Sequence, residues 1–407
     1  MFENRSQIRI VVVAALGYFV DIYDLILFGI VRLQSLNDLG VSPEKIAQSS
    51  LLLLNMQMVG MLVGGVLFGV WGDRKGRVQV LFASILLYSL ANIANGFVNN
   101  IPMYAIVRFI AGLGLAGELG AGITLVSETM HKTKRGYGTM VVVLFGALGA
   151  VVAALVADLF SWRISYFVGG ALGLMLLIMR IKSLESGLFS NMMVSGIKGG
   201  QFLALFKYKE LFFRFMNSVL IGLPVWFVVG ILIVFSPEFG QLMKLNEPIV
   251  SGKAVMWSYI GLSVGDVLSG LLSQWIKSRK KAVFMALLLG LMSCAFFLFG
   301  PIVSTQTFYL ACFLVGLPMG YWGLFVTIAS ESFGTNLRAT VTTTVPNLVR
   351  GATVPITLLF AYLNVGLGFG MVYAAACVGL ITFTIAFYHA YKLKETFGKD
   401  LNFVEKV

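Results

Sequence analysis

Five charged side chains, Asp21, Asp24, Arg108, Glu118 and Arg350, stand inside long apolar runs of this 407-residue chain. If those runs cross a bilayer, each charge costs roughly 2.5–3.5 kcal/mol at its centre, and the five together roughly 12–18 kcal/mol. A protein's whole net stability is about 5–15 kcal/mol, so such groups must face one another or a water-filled cavity. Asp21 and Asp24 are three residues apart and share one helix face. Counted at about 1.5 Å per residue from the helix ends, they lie level with Arg108, and one of them is expected to pair with it. A dry cavity favours the neutral carboxylic acid, and a neighbouring arginine favours the anion. A carboxylate alternating between those surroundings can take a proton on one side of a membrane and release it on the other. The candidates for that role are Glu118, Asp24 and Asp21, in that order, with Arg108 beside them. Arg350 has a planar fork suited to binding a carboxylate through two parallel bonds; equally, it can be the partner of Glu118 or of an aspartate. Asp266 is left open between cavity and packing. Among the aromatics of the second half, Trp226, Phe227, Trp257, Tyr321 and Trp322 have a lipid-facing or interfacial default. Tyr321 and Trp322, beside Pro318 and Gly320, and Trp226 are the candidates for contact with a solute.

The elements that position these residues follow from composition. Hydrophobic residues make up 58% of the chain and charged ones 12%, where soluble domains carry about 25% charged residues. A single soluble core stops growing near about 250–300 residues, so the excess must be solvated by lipid. Spanning takes about 20 apolar residues as helix. Runs of that length lie near 8–31, 46–71, 78–98, 102–128, 136–160, 163–182, 212–236, 252–276, 282–302, 306–332, 339–363 and 368–391. They are too long for barrel strands of about 9–11 residues. The expected fold is an all-α membrane protein of twelve transmembrane helices in two six-helix halves, 1–182 and 212–407, joined by a connector at 183–211.

The net charge of +12 does not point to nucleic acid, because its Lys and Arg sit in short loops between apolar runs. Apart from Arg108 and Arg350 within the spans, only Arg32, Lys45, Arg163, Lys244 and Lys253 fall on the side opposite the termini. That bias places both termini in the cytoplasm and predicts a multi-pass protein of the cytoplasmic (inner) membrane. No cleavable signal peptide is expected, since the first run is long enough to span. Cys294, Cys312 and Cys377 lack metal-type spacing and read as small core residues, and His131 and His389 are too far apart to suggest a pair. No metal and no cofactor is expected. An intramembrane enzyme lacks any serine–histidine or metal-type cluster, and a receptor would need a larger cytoplasmic domain or tail. The halves repeat weakly: Glu128 and Arg135 recur at one offset as Glu331 and Arg338, and Gly117 and Gly120 as Gly320 and Gly323. Transporters are built from such repeats.

The loop after the second run reads GVWGDRKGR, Gly69 to Arg77. It resembles the G-x-x-x-D-R-x-G-R signature of the major facilitator superfamily, which follows a second membrane helix. By that resemblance Asp73, Arg74, Gly76 and Arg77 hold a cytoplasmic gate shut. The second-half counterpart, WIKSRKK, has Lys277 in place of the aspartate, which implies an asymmetric gate. Glu128 with Arg135 and Glu331 with Arg338, at cytoplasmic helix ends, are expected as gate salt bridges. The pattern through Arg108, Gly112, Gly117, Glu118, Gly120, Glu128, Arg135 and Gly136 looks like the metabolite:proton symporters. FVDIYDLILFG and GVSPEKI resemble the aromatic-acid:proton symporters, with Ile22 standing where those have glycine, and Arg350-Gly351-Ala352 with Pro355 is similar to a helix-eleven run of the same relatives. The fifth run, FGALGAVV, lacks the proline of the antiporters' motif, which implies symport or uniport. Gly60, Gly64, Gly65 and Gly69 form small-xxx-small spacings that let a neighbouring helix approach.

These readings imply a secondary active transporter: proton-coupled symport of a small organic anion, a carboxylate metabolite, by alternating access. The partners expected are the solute, the proton and the bilayer, with no nucleic acid and a monomeric assembly. The three embedded carboxylates leave transport or export of a cationic or zwitterionic solute as the alternative.

Overall fold

The computed structural model describes residues 5–130, 135–179 and 199–405, and every regular element among them is helical. The expected connector at 183–211 is thus described only from Gly199 onward, and the side chain of Arg135 lies outside the described set, as does His131. Twelve helical spans are long and apolar enough to cross a bilayer. In chain order they are α1 Ile10–Asp38, α2 Pro43–Lys75, α3 Arg77–Asn95, α4 Ile101–Thr129, α5 Gly136–Leu159 and α6 Trp162–Met179 in the first half. The second half has α7 Lys209–Ile233, α8 Ser251–Trp275, α9 Arg279–Phe299, α10 Thr305–Ser332, α11 Thr335–Gly366 and α12 Met371–Lys392. Large apolar side chains such as Leu90, Ile106, Met175, Ile178, Leu288, Met292 and Leu380 point outward. On a soluble surface so much exposed apolar area would drive association; here it is the lipid-facing wall.

Because lipid tails are as apolar as the side chains, helices in a membrane gain contact mainly where small residues let backbones close up. The glycines of α2 do this on two faces. A Cβ at Gly60 or Gly64 would strike the backbone of α4 at Phe109 and Leu113, and one at Gly65 or Gly69 would press on Asn347 and Thr340 of α11. The halves meet along α2 against α11 and α5 against α8.

Several spans are not continuous helices, which the apolar runs do not reveal. α4 is interrupted at Ala116–Gly117, between helical pieces Ile101–Leu115 and Glu118–Thr129. α10 is interrupted at Gly320–Tyr321, between Thr305–Met319 and Trp322–Ser332. The breaks occur at repeat-related glycines, and both put site residues at the start of a new helical piece. α11 resets at Ala352, just after Arg350, and α7 ends in a π-turn at Val228–Ile233. Beyond α12 the chain turns back over the face that carries the termini. There Leu401 and Phe403 offer their carbonyls to Arg338 Nη2 and the Thr335 N–H, at 2.7 and 2.9 Å.

Candidate functional site

Between the halves lies a small cavity of about 20 Å³, room for about one water. Its walls include Tyr18 and Ile22 of α1, Trp226 of α7, Tyr259 of α8, Trp322 of α10 and Arg350 of α11. Arg350 is 1% exposed and sits in the last turn of the first helical piece of α11, where the negative end of the helix dipole favours a cation. Its Nη2 lies 3.6 Å from Asp21 Oδ2, its Nη1 donates to Asn347 Oδ1 at 3.2 Å, and its Nε has no partner. The Trp322 ring centroid is 5.7 Å from the guanidinium carbon, and the indole N–H donates to Tyr18 Oη at 3.0 Å, from one half to the other. Asp21, fully buried, accepts no hydrogen bond on either oxygen, and Glu118 is close enough for the two carboxylates to repel. A polar cluster holding one cation with an unspent donor, and a carboxylate held to it by charge alone, is therefore built from both halves.

The expected pairing of an aspartate with Arg108 is not found. Arg108 is fully buried in the first half, where it donates to Gln57 Oε1 and, at 3.5 Å, to Tyr166 Oη, with Phe28 centred 4.9 Å from its guanidinium carbon. Asp24 feels the charge of Arg108 and has the Asn92 side chain beside it, but makes no ion pair with the arginine. Asp21 points instead to the seam between the halves. Three residues along a helix is a rotation of about 300°, and α1 lies between its own bundle and the seam, so a modest difference in direction decides the partner. Among the second-half aromatics, Trp226 and Trp322 line the cavity, but Tyr321 turns away and its hydroxyl donates to the Ile221 carbonyl at 2.6 Å. Of the five aromatics with a lipid-facing default, only Trp257 is exposed. Glu118 is not on the cavity wall itself.

On the face that carries the termini, a buried interlock joins the halves. Asp73 accepts from the backbone N–H groups of Ala339 and Thr340 at 3.1 and 2.8 Å, near the positive end of α11, and lies 3.4 Å from Arg77. Glu128 takes Arg77 at 3.0 Å and Arg338 at 3.1 Å. Glu331 takes Arg279 at 3.4 Å rather than Arg338. The expected Glu331–Arg338 bridge is thus exchanged for one between the halves, because Arg338 enters the seam while Glu331 stays in its own bundle. Arg74 is exposed, and Gly76 adopts φ 110°, a turn only glycine takes without strain. On the opposite face Arg32 of α1 donates to both oxygens of Glu238 at 2.7 and 2.9 Å and to the Val234 carbonyl at 2.9 Å. On each of these two faces an ion pair thus runs from one half to the other. Among the described residues no three metal-type side chains cluster.

The sequence profile of the Major Facilitator Superfamily matches residues 14–351. The chain belongs to that superfamily. It is a transporter, not an enzyme, and its relatives agree. The putative niacin/nicotinamide transporter of Bacillus subtilis is 26% identical over 347 residues, covering 82% of this chain and 83% of that one. The niacin transporter of Acinetobacter baylyi is 27% identical, covering 80% of each. The 4-hydroxybenzoate transporter of Pseudomonas aeruginosa is 30% identical over 42% of this chain and 38% of its own length. A proton:xylose symporter structure superposes with a TM-score of 0.72 over 98% of both chains at 17% identity, which carries the fold alone.

Several residues of this transporter's polar framework escape a reading of the sequence. Arg32 and Glu238 look like ordinary loop charges at helix ends, and Tyr18, Gln57 and Asn347 have no spacing that marks them. For the interlock, an expected outcome follows. Glu128→Gln leaves Arg77 and Arg338 buried around a neutral amide, and breaking such a pair costs about 3–5 kcal/mol. The variant should lower the melting temperature of the detergent-purified protein and open a cysteine placed at Thr343 to thiol reagents. A melting curve and labelling rate equal to those of wild type would show that the interlock contributes nothing.

Proposed function

We propose that this transporter is a proton-coupled symporter that brings a small organic monocarboxylate, an aromatic or heteroaromatic acid, across the cytoplasmic membrane. The observation that carries the reading is the ion pair of Asp21 with Arg350, an arginine that lines the cavity, contributed by α1 and α11 of opposite halves. While Asp21 is charged it neutralises Arg350, and a solute carboxylate entering the cavity would meet both charges. Once Asp21 is protonated, the guanidinium is unopposed and its Nε and Nη2 are available to a carboxylate. Anion binding and proton binding then favour each other, which is the condition for symport. Trp226 and Trp322 supply flat apolar walls for a ring, and the relatives named for niacin and 4-hydroxybenzoate carry flat acids.

Alternating access follows if the two interlocks open in turn. The face with the termini, rich in Lys and Arg, is placed in the cytoplasm; there Asp73, Arg77, Glu128 and Arg338 form the inner gate, and Arg32–Glu238 forms the outer one. The halves, 1–182 and 212–407, rock about the cavity, which must widen from its closed volume to admit a solute. Asp24 with Arg108 and Glu118 stand behind Asp21 as a relay within the first half. The test is uptake into proteoliposomes under a pH gradient, with nicotinate, benzoate, 4-hydroxybenzoate, aliphatic acids, amino acids and an organic cation offered in parallel. Accumulation of a ring acid, abolished by a protonophore, is expected. Accumulation of the cation alone would make the carboxylates the solute site and Arg350 their structural partner.

A further inference from the structure

The interruption of α10 leaves backbone groups without helical partners at a depth where no water replaces them, and each such group costs several kcal/mol in lipid. Two of them face α8. The Gly320 carbonyl accepts from Ser269 Oγ at 2.8 Å, and the Gly323 N–H donates to Asp266 Oδ1 at 3.0 Å. Gly323 is the second residue of the helical piece Trp322–Ser332, and the residue at its N-cap, Tyr321, gives no side-chain cap. An N-cap side chain ordinarily accepts from the second or third N–H of its helix. Asp266 does this from a neighbouring helix. Its oxygen supplies the cap that the start of this 11-residue piece lacks, which accounts for a polar side chain that is 3% exposed and within an ion-pair distance of no described cation.

The crossing is close enough to hold this geometry. A Cβ on Gly265 would strike the Leu317 carbonyl, and one on Gly320 would strike the backbone at Gly265 and Asp266. A Cβ on Gly323 would lie 3.1 Å from Asp266 Oδ1. The two bonds therefore hold the peptide that follows Gly320, in the break, and the peptide that follows Trp322, just beyond it. Trp322 in turn reaches Tyr18 of the other half and lies over Arg350.

We propose that Asp266, with Ser269, is a positioning residue of the central site: it caps the second piece of α10 from α8 and so sets the Trp322 indole over Arg350. The proposal rests on the reading of the cavity as the solute site, and it assigns a role to a buried carboxylate that takes no part in proton coupling. What matters is the acceptor, not the charge. Asp266→Asn retains an oxygen that accepts from Gly323, and Asp266→Ala removes it.

The experiment compares the two variants with wild type in one carrier preparation. Asp266→Ala should raise KM for the transported acid roughly ten-fold, the size of one lost buried hydrogen bond, with kcat within about three-fold. Asp266→Asn should restore KM to within about three-fold of wild type. In purified protein without solute, the emission assigned to Trp322 (wild type minus Trp322→Phe) should shift in Asp266→Ala and not in Asp266→Asn. If Asp266→Ala does not fold, Ser269→Ala, which removes the companion bond at Gly320, supplies the comparison, with KM raised about five-fold and the same shift in Trp322 emission. The fluorescence arm needs no transported solute, so it decides the clamp even if no ring acid is carried. A Trp322 emission unchanged in Asp266→Ala overturns the proposal, as does an unchanged KM. Asp266→Asn failing as badly as Asp266→Ala overturns it too, because charge would then be the operative property.

Discussion

Replacing Arg350 with lysine is expected to raise KM for the transported acid about 100-fold while the protein still folds. Arg350 offers three donor positions on one plane; one is spent on Asn347, one faces Asp21, and Nε has no partner. A carboxylate can take the last two together. Lysine is a point charge on a flexible stem that cannot make that paired contact, and truncating a buried charge-assisted contact costs about 2–5 kcal/mol in binding. Lysine keeps the positive charge beside Asp21, so the loss should appear in affinity more than in stability. Alanine would abolish binding as well, but it also leaves Asp21 buried and unopposed, at a cost of about 3–5 kcal/mol, and would not separate the two effects. Initial uptake rates over a range of acid concentrations in proteoliposomes give KM, and melting curves give stability. A KM within two-fold of wild type would move Arg350 to a purely structural role.

The second large effect is on coupling. Asp21→Asn should abolish accumulation driven by a pH gradient yet leave exchange of labelled for unlabelled solute at a tenth of wild type or more. Asparagine is neutral, as the protonated acid is, so Arg350 is released for the anion at every pH. Substrate affinity should therefore lose its dependence on pH, and nothing remains to carry the proton. Glu118→Gln is the companion measurement, because Glu118 repels Asp21 and ranks first on sequence alone. Uncoupling by Glu118→Gln with normal accumulation in Asp21→Asn would transfer the proton site to Glu118. Accumulation intact in both would remove the ion pair from the coupling scheme altogether.

Whatever depends on local composition and on the cost of exposing polar groups to lipid is legible in the chain before any tertiary contact forms. Twelve spans follow from the length of apolar runs, because a helix must satisfy its own backbone across the bilayer. The repeat between halves and the GVWGDRKGR loop placed the chain among major facilitator transporters, a placement the profile match carries independently. The list of embedded charges was also legible, since each is conspicuous against its apolar neighbours. Partners were not. Arg350 with Asp21, Glu128 with Arg338 and Arg32 with Glu238 each join residues from opposite halves, far apart in the chain. Spacing along a helix says which residues share a face, but the rotation of α1 between its bundle and the seam decides that Asp21 meets Arg350 and Asp24 does not. The breaks in α4 and α10 were hidden for a related reason. A glycine pair in an apolar run is compatible with a continuous helix, and it becomes an interruption here because a second helix, with Asp266 and Ser269 in the case of α10, supplies the bonds that the broken backbone loses.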